Sequence, residues 1–340
     1  MKTKKIHFKL KTIFVWACLC CFALPLYSQD MLYPVMQGGK YGYINKTGQV
    51  QINPQFEFAE PFAGGSAIVK MNGKKGIIDL AGKFLVPAEY EKVTNYSEDL
   101  ASIRKDDQWK FVDKTGKTIF EPKCDYAYRF SEGLARVQTG IKLGYIDKTG
   151  KMVIKPEYDG AYDFSSGRAR VMKNGKWGFI DKTGNMSVEM KYDDSFDFCE
   201  GLANVRIGDD KTGKWGYINE NGKVVIEFQF DRAFRFSGGL AIIRVGDMNK
   251  GKFGYIDKSG KTIIDATFTG AYNFNEGLAC ITNDMVIKTA KWQFIDKSGK
   301  VVIAAKSDYY SDFSGGLSKV SYGGILSYID KEGKVIWQQK

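Results

Sequence analysis

Seven carboxylates recur at one place along this chain of 340 residues: Glu57, Glu91, Asp125, Asp159, Asp193, Asp231 and Asp308, with Thr269 breaking the column. A row of acids can bind cations or sugar hydroxyls, and a pair held about 5–10 Å apart across a cleft can hydrolyse a glycosidic bond. Beside a turn, the same residue more often accepts local backbone N–H bonds, and that is the favoured reading of the column. Two stretches, Gly208–Trp215 and Gly246–Phe253, spell G-x-x-x-x-G-K. A phosphate loop places Ser or Thr next, for magnesium, and then opens a helix. Trp215 and Phe253 follow instead and lead into strands, so both stretches read as hairpin loops. The one histidine, His7, stands in the first residues of the chain. Its position removes Ser-His-Asp triads, Cys-His pairs, histidine general bases and nearly every zinc site from the remainder. An enzyme here would run on carboxylates, lysine, tyrosine or a cofactor, and no residue pattern calls for a cofactor or a metal.

What positions these residues is a repeat. "GKWGFIDKTGN" (residues 175–185) returns as "GKWGYINENGK" (213–223) and "GKFGYIDKSGK" (251–261). The place of Trp177 is held in turn by Tyr41, Lys75, Trp109, Leu143, Trp177, Trp215, Phe253, Trp292 and Leu326, at spacings of 34 to 39 residues. Two residues later the column is aromatic except at Ile77, and a turn glycine follows every time, from Gly48 to Gly333. Such self-similarity outranks other signals. Within a unit, "LARV" and "LGYID" read as short strands, "YIDKTGKMVI" as a hairpin, and "KPEYDGAYDF" as a segment that leaves at Pro156 and returns as an irregular edge strand. In "WGFID" both strand faces are apolar, so both need cover. Stacked copies supply it, and the glycine beside the tryptophan is expected to admit a neighbour's large side chain. No stretch shows a sustained helical period.

The "KWG" run, with "GYIDKTGK" after it and "FSEGLA" before it, resembles the bacterial WG (KWG) repeat over about residues 32–337. Lys75 and Leu143 replace Trp, Lys110 and Gln293 replace Gly, and Asp99 replaces the glycine of the "SEG" turn. The resemblance implies a β-repeat architecture, often exported, and brings no catalytic residues. The expected fold is all-β: a tandem array of about nine antiparallel three-to-four-stranded meanders. Units fall near 32–65, 66–99, 100–133, 134–167, 168–201, 202–239, 240–277, 278–316 and 317–340. Because the chain stops three strands into the ninth unit, an open, curved, solenoid-like array is favoured, with a closed β-propeller of eight or nine blades as the alternative.

Residues 1–28 read as a secretory signal peptide: five lysines, then the apolar run of residues 13–27, too short for a membrane span. A single repeat domain follows over 29–340, with no transmembrane segment after the signal, and the location is periplasm, cell surface or medium. The net charge is +11; removing those five lysines leaves about +6, scattered, which argues against a nucleic-acid partner. Cys124, Cys199 and Cys280 occupy unlike repeat positions and form no disulfide framework. The expected function is non-catalytic: an exported binding or scaffolding module for a protein, glycan or cell-envelope partner. The alternatives are a carboxylate-based glycan-acting enzyme and a purely structural envelope component. Candidate partner-binding residues lie where the link between the "LA" and Trp strands lengthens. That link is nine residues from Leu134 to Leu143, but thirteen, thirteen and fourteen in three consecutive units. The added residues include Asp209, Asp210 and Lys211; Asp247, Met248 and Asn249; and Asp284, Met285, Val286 and Ile287. Insertions grouped on one face of a repeat protein often mark its binding face.

Overall fold

A computed structural model describes residues 31–247, 250–284 and 291–339. The expected signal peptide, Met248, Asn249 and Met285 to Ile287 lie outside the described residues. Among the described residues thirty-five strands, β1 to β35 in chain order, form nine antiparallel sheets. Eight sheets have four strands and the first has three: β1 (Tyr33–Gln37), β2 (Lys40–Ile44) and β3 (Val50–Phe56). The fifth shows the common plan: β16 (Gly160–Ala161), β17 (Ala169–Lys173), β18 (Lys176–Ile180) and β19 (Met186–Tyr192), side by side in sequence order. Among the described residues no helix is long and apolar enough to cross a membrane.

The recurring phrase builds the second and third hairpins of each four-stranded sheet, which end in its outermost strand. Asp181 Oδ1 accepts bonds from the N–H groups of Thr183 and Asn185, at 2.9 and 3.0 Å, and from the Thr183 hydroxyl at 2.6 Å. Gly184 supplies the positive φ, 89°, that closes the turn. Gly178 is needed for another reason than the one expected. Between Trp177↔Tyr192 and Phe179↔Val188 the register slips, so β19 bulges toward β18. A Cβ on Gly178 would stand 2.6 Å from the Val188 carbonyl oxygen and 2.8 Å from Met190 N. The glycine therefore makes room for the backbone of its own sheet's outer strand, not for a neighbour's side chain.

The sheets are phased one strand away from the sequence units. Pro156 sits inside a continuous outer strand, Met152–Tyr158, rather than at a break. The short strand after it opens the next sheet. Proline is tolerated there because the outer strand has one free edge.

Between sheets the packing is aromatic. Phe179, with no exposed surface, meets Phe198 of the next sheet at 4.7 Å between ring centres, and Tyr145–Phe164, Tyr217–Phe236 and Tyr255–Phe274 repeat the contact at 4.9–5.0 Å. Tyrosines at this place also donate to a main-chain oxygen seventeen residues on, as Tyr217 Oη does to Phe234 O at 2.7 Å. Trp177 itself is only partly buried, so Phe179 carries more of that interface, whereas Trp109, Trp215 and Trp292 at the same place are buried.

The open array expected from the chain's end is overturned by the seam. The ninth sheet is complete: β32 (Tyr309–Tyr310), β33 (Ser318–Tyr322), β34 (Ile325–Ile329) and β35 (Val335–Gln338). Tyr328 of β34 donates to Pro34 O of β1 at 3.0 Å, in the same role as Tyr217, and its ring meets Tyr33 at 5.3 Å. Tyr33 Oη donates to Gly315 O at 2.8 Å. The turn glycine of each sheet rests on the outer strand of the sheet before it: Gly184 on Ile154, Gly222 on Val188, and Gly48 on Ile336 of the last sheet. The ring closes, and the molecule is a nine-bladed β-propeller. The short strand counted as missing from the ninth unit belongs, in the true phase, to the first blade, whose sheet has three strands among the described residues.

Candidate functional site

The outermost strands expose aliphatic side chains such as Val153, Val225 and Ile263. The short strand and the segment after it stand at the opposite, inner edge. Three-residue segments there carry the variation of the ring: Tyr128–Arg129–Phe130, Tyr162–Asp163–Phe164, Phe196–Asp197–Phe198 and Phe234–Arg235–Phe236 in the fourth to seventh blades. The third residue of each is a buried interface aromatic. The middle residue of each, together with Tyr162 and Phe196, lines a cavity of about 390 Å³ that runs from Arg129 of the fourth blade to Arg235 of the seventh. Four successive blades meet only where a propeller's blades converge, so this cavity lies at the inner rim.

Two arginines hold its wall. Arg136 and Arg170 occupy one position on the long strand next to the short one, and each donates to a main-chain oxygen of the following blade, Ala161 O and Ser195 O. Ser102 and Asn204 do the same with Ala127 O and Ala233 O. The guanidinium groups interleave with the rings. Arg136 lies 3.7 Å from the centre of Tyr128 and 5.5 Å from Tyr162; Arg170 lies 3.4 Å from Tyr162 and 5.2 Å from Phe196. Such cation–π contacts each contribute about 0.5–2 kcal/mol. Asp163 sits between Arg129 Nε, 3.3 Å away, and Arg136 Nη2, 3.5 Å away. Asp197 Oδ1 lies 2.8 Å from Arg170 Nε without hydrogen-bond alignment. Burial pushes the Asp197 carboxyl above the usual carboxylate range, and Arg170 offsets this only in part.

The acids singled out from sequence do other work. In the column, Asp159 accepts from Asn174 N at 3.0 Å, Asp193 from Gly208 N at 2.9 Å and Asp231 from Gly246 N at 2.8 Å. Each also pairs with a lysine of the blade before it, Lys142, Lys176 and Lys214. They hold turns, as expected. The lengthened loops belong to blades six, seven and eight. In an antiparallel meander these loops leave the blade end opposite the turns that follow the short strands. They are neighbours on that face, away from the turn residues Ser131, Ser165 and Cys199 that edge the cavity. Within them Asp209 accepts from Lys211 N and Thr212 N, Asp210 pairs with Arg206, Asp247 accepts from Lys250 N, and Asp284 accepts from Lys291 N. Both G-x-x-x-x-G-K stretches are hairpin connections into strands. Arg136, Arg170, Asp163 and Asp197 were missed from sequence. For Arg136 and Arg170 the signal was a charge in a strand position that is otherwise Pro34, Ile68, Ser102, Asn204, Ile242 or Cys280, with Lys319 the one other charge.

The WG containing repeat profile matches this chain eight times, over 41–74, 76–109, 111–140, 144–177, 177–211, 215–248, 253–284 and 292–324. The chain belongs to the WG-repeat family. No curated protein matches it. Among solved structures, this WG-repeat protein is similar to a eukaryotic initiation factor, with a TM-score of 0.64 at 14% identity, covering 92% of this chain and 96% of that one. It is also similar to the computationally designed Ika8 protein, with a TM-score of 0.48 at 11% identity, covering 82% and 93%. At 14% identity the likeness to the initiation factor shows the fold alone.

Proposed function

We propose that this WG-repeat propeller is an exported, non-catalytic binding or scaffolding protein for a protein, glycan or cell-envelope partner. The observation that carries the reading is the division of labour among its charged groups. Acids around the ring are committed to turns and to lysines, while one inner-rim cavity gathers arginines, acids and aromatic rings that face open space. A rigid ring with one differentiated cavity suits recognition. Export rests on the basic head and apolar run of residues 1–28. The loops of blades six to eight, with Asp209 to Lys211, Asp247 to Asn249 and Asp284 to Ile287, are proposed as a second contact face. The test is capture of partners from envelope extract by the tagged protein, repeated with all three loops cut to the nine-residue link of the fourth blade. Shortening should leave stability almost unchanged, because loop length costs little entropy, and should lower recovery. Unchanged recovery by a folded variant removes that face.

A glycan-acting hydrolase is the second reading, favoured by one observation: the cavity holds two carboxylates, and that of Asp197 is pushed upward. Turnover of a glycan that disappears in Asp197→Asn would establish it and displace the first.

A further inference from the structure

The inner-rim cavity is asymmetric in charge. Arg129, Arg136 and Arg235 line it against Asp163 and Asp197, three positive groups against two negative. Arg136 is fixed between rings and Asp163 is shared by two arginines. Arg235 is exposed and forms no ion pair among the described residues; it reaches Asp312, two blades on, only as a longer-range charge. One guanidinium is thus left to face the cavity with its planar fork unused. That geometry matches a carboxylate, which an arginine fork takes through two parallel bonds. Asp163 and Asp197 stand at the wall with their buried Oδ1 atoms turned onto Arg136 and Arg170, while their side chains stay 26% and 44% exposed and present the remaining carboxylate surface to the cavity. Their two negative charges oppose a doubly charged anion and favour a ligand that brings hydroxyl donors. Tyr162 and Phe196 add apolar ring edges beside them. A volume of about 390 Å³ lies at the small end of ligand cavities, which run from about 300 to 1,000 Å³.

We infer that this cavity takes an acidic sugar: one carboxylate held by Arg235 and Arg129, with hydroxyls donating to Asp163 and Asp197. The inference rests on the reading of the ring as a binding protein and names the ligand class of its inner site. Calorimetric titration of the full chain with galacturonate, galactose, acetate and inorganic phosphate tests it. Galacturonate should bind roughly tenfold or more tightly than galactose and acetate, since each of these lacks one half of the recognition. Arg235→Ala and Arg129→Ala should each weaken galacturonate roughly tenfold without lowering the melting temperature, because both side chains are exposed and outside the core. Asp163→Asn should weaken galacturonate and leave acetate unchanged. Equal affinity for galactose, tighter binding of phosphate, indifference to the arginine substitutions, or no binding to the folded protein at millimolar sugar would each overturn it. If galacturonate fails while envelope partners are still captured, the sugar falls and the binding reading stands. If capture fails as well, the binding reading falls with it.

Discussion

Ring closure makes a quantitative demand on Tyr328. Its side chain is 5% exposed, and its hydroxyl reaches Pro34 O across 294 residues of chain. Tyr217 does the same between two blades in the middle, with no exposed surface and a 2.7 Å bond to Phe234 O. Truncating a buried ring of this size costs about 3–5 kcal/mol, and removing the hydroxyl alone costs about 0.5–1.5 kcal/mol. In a closed ring the seam is one interface among nine, so Tyr328→Ala and Tyr217→Ala should lose similar amounts, as should the two Tyr→Phe variants. In an open array an end unit leans on one neighbour only, and Tyr328 would lie at a half-covered end. Urea melts followed by tryptophan fluorescence, extrapolated linearly, give the four values. Hydrogen exchange in residues 33–56 of Tyr328→Ala shows whether damage crosses the seam. A loss below about 1 kcal/mol for Tyr328→Ala beside 3–5 for Tyr217→Ala, with protection in 33–56 intact, would refute closure.

Phe179→Ala should cost about 3–5 kcal/mol, and Trp177→Ala measurably less in the same urea melts, because Trp177 keeps part of its surface in water. Gly178→Ala should cost about 1–3 kcal/mol or more, since a methyl there meets main-chain atoms that cannot rotate away; a neutral result would mean the bulge opens freely. Asp113, Asp147, Asp181, Asp257 and Asp296 are each held below the usual carboxylate range, first by a Thr or Ser hydroxyl two residues on. A folded pKa below the unfolded one gives stability that is present above the unfolded value, 3.8, and lost as pH falls through the folded one. The urea midpoint should therefore drop on acidification below about pH 4. Changing all five to Asn should keep the fold and flatten that drop, because Asn45 and Asn219 already make the same turn uncharged.

The repeat, its all-β character and the turn chemistry were legible because each rests on local rules. Asp or Asn with Gly at a fixed offset writes the turn in all nine units. Closure was not legible, because it depends on a phase choice: the short strand after Pro156 reads equally well as the last of one sheet or the first of the next. Only the pairing of Gly160–Ala161 with Ala169–Lys173 decides it. The inner-rim site was hidden for a related reason. Arg136, Asp163, Arg170 and Asp197 come from three blades and are far apart in sequence. Periodicity averages away the departures that make one sector of a ring different. The acids that sequence singled out recur, and recurrence marked structure rather than site.

The turn glycine of every blade leans on the blade before it, never on the blade after, so the nine interfaces are head-to-tail and share one rotational step. Closure fixes that step at about 40°, a full turn divided by nine. A lineage that gained one repeat would have to narrow the step to about 36°. Spread over every wedge, that is a small change at the outer strands. At the hub it is not: the same few degrees re-space Arg129, Asp163, Asp197 and Arg235 relative to one another. A change in copy number would therefore alter the bore of the ring and re-cut its inner-rim cavity without a single substitution in it.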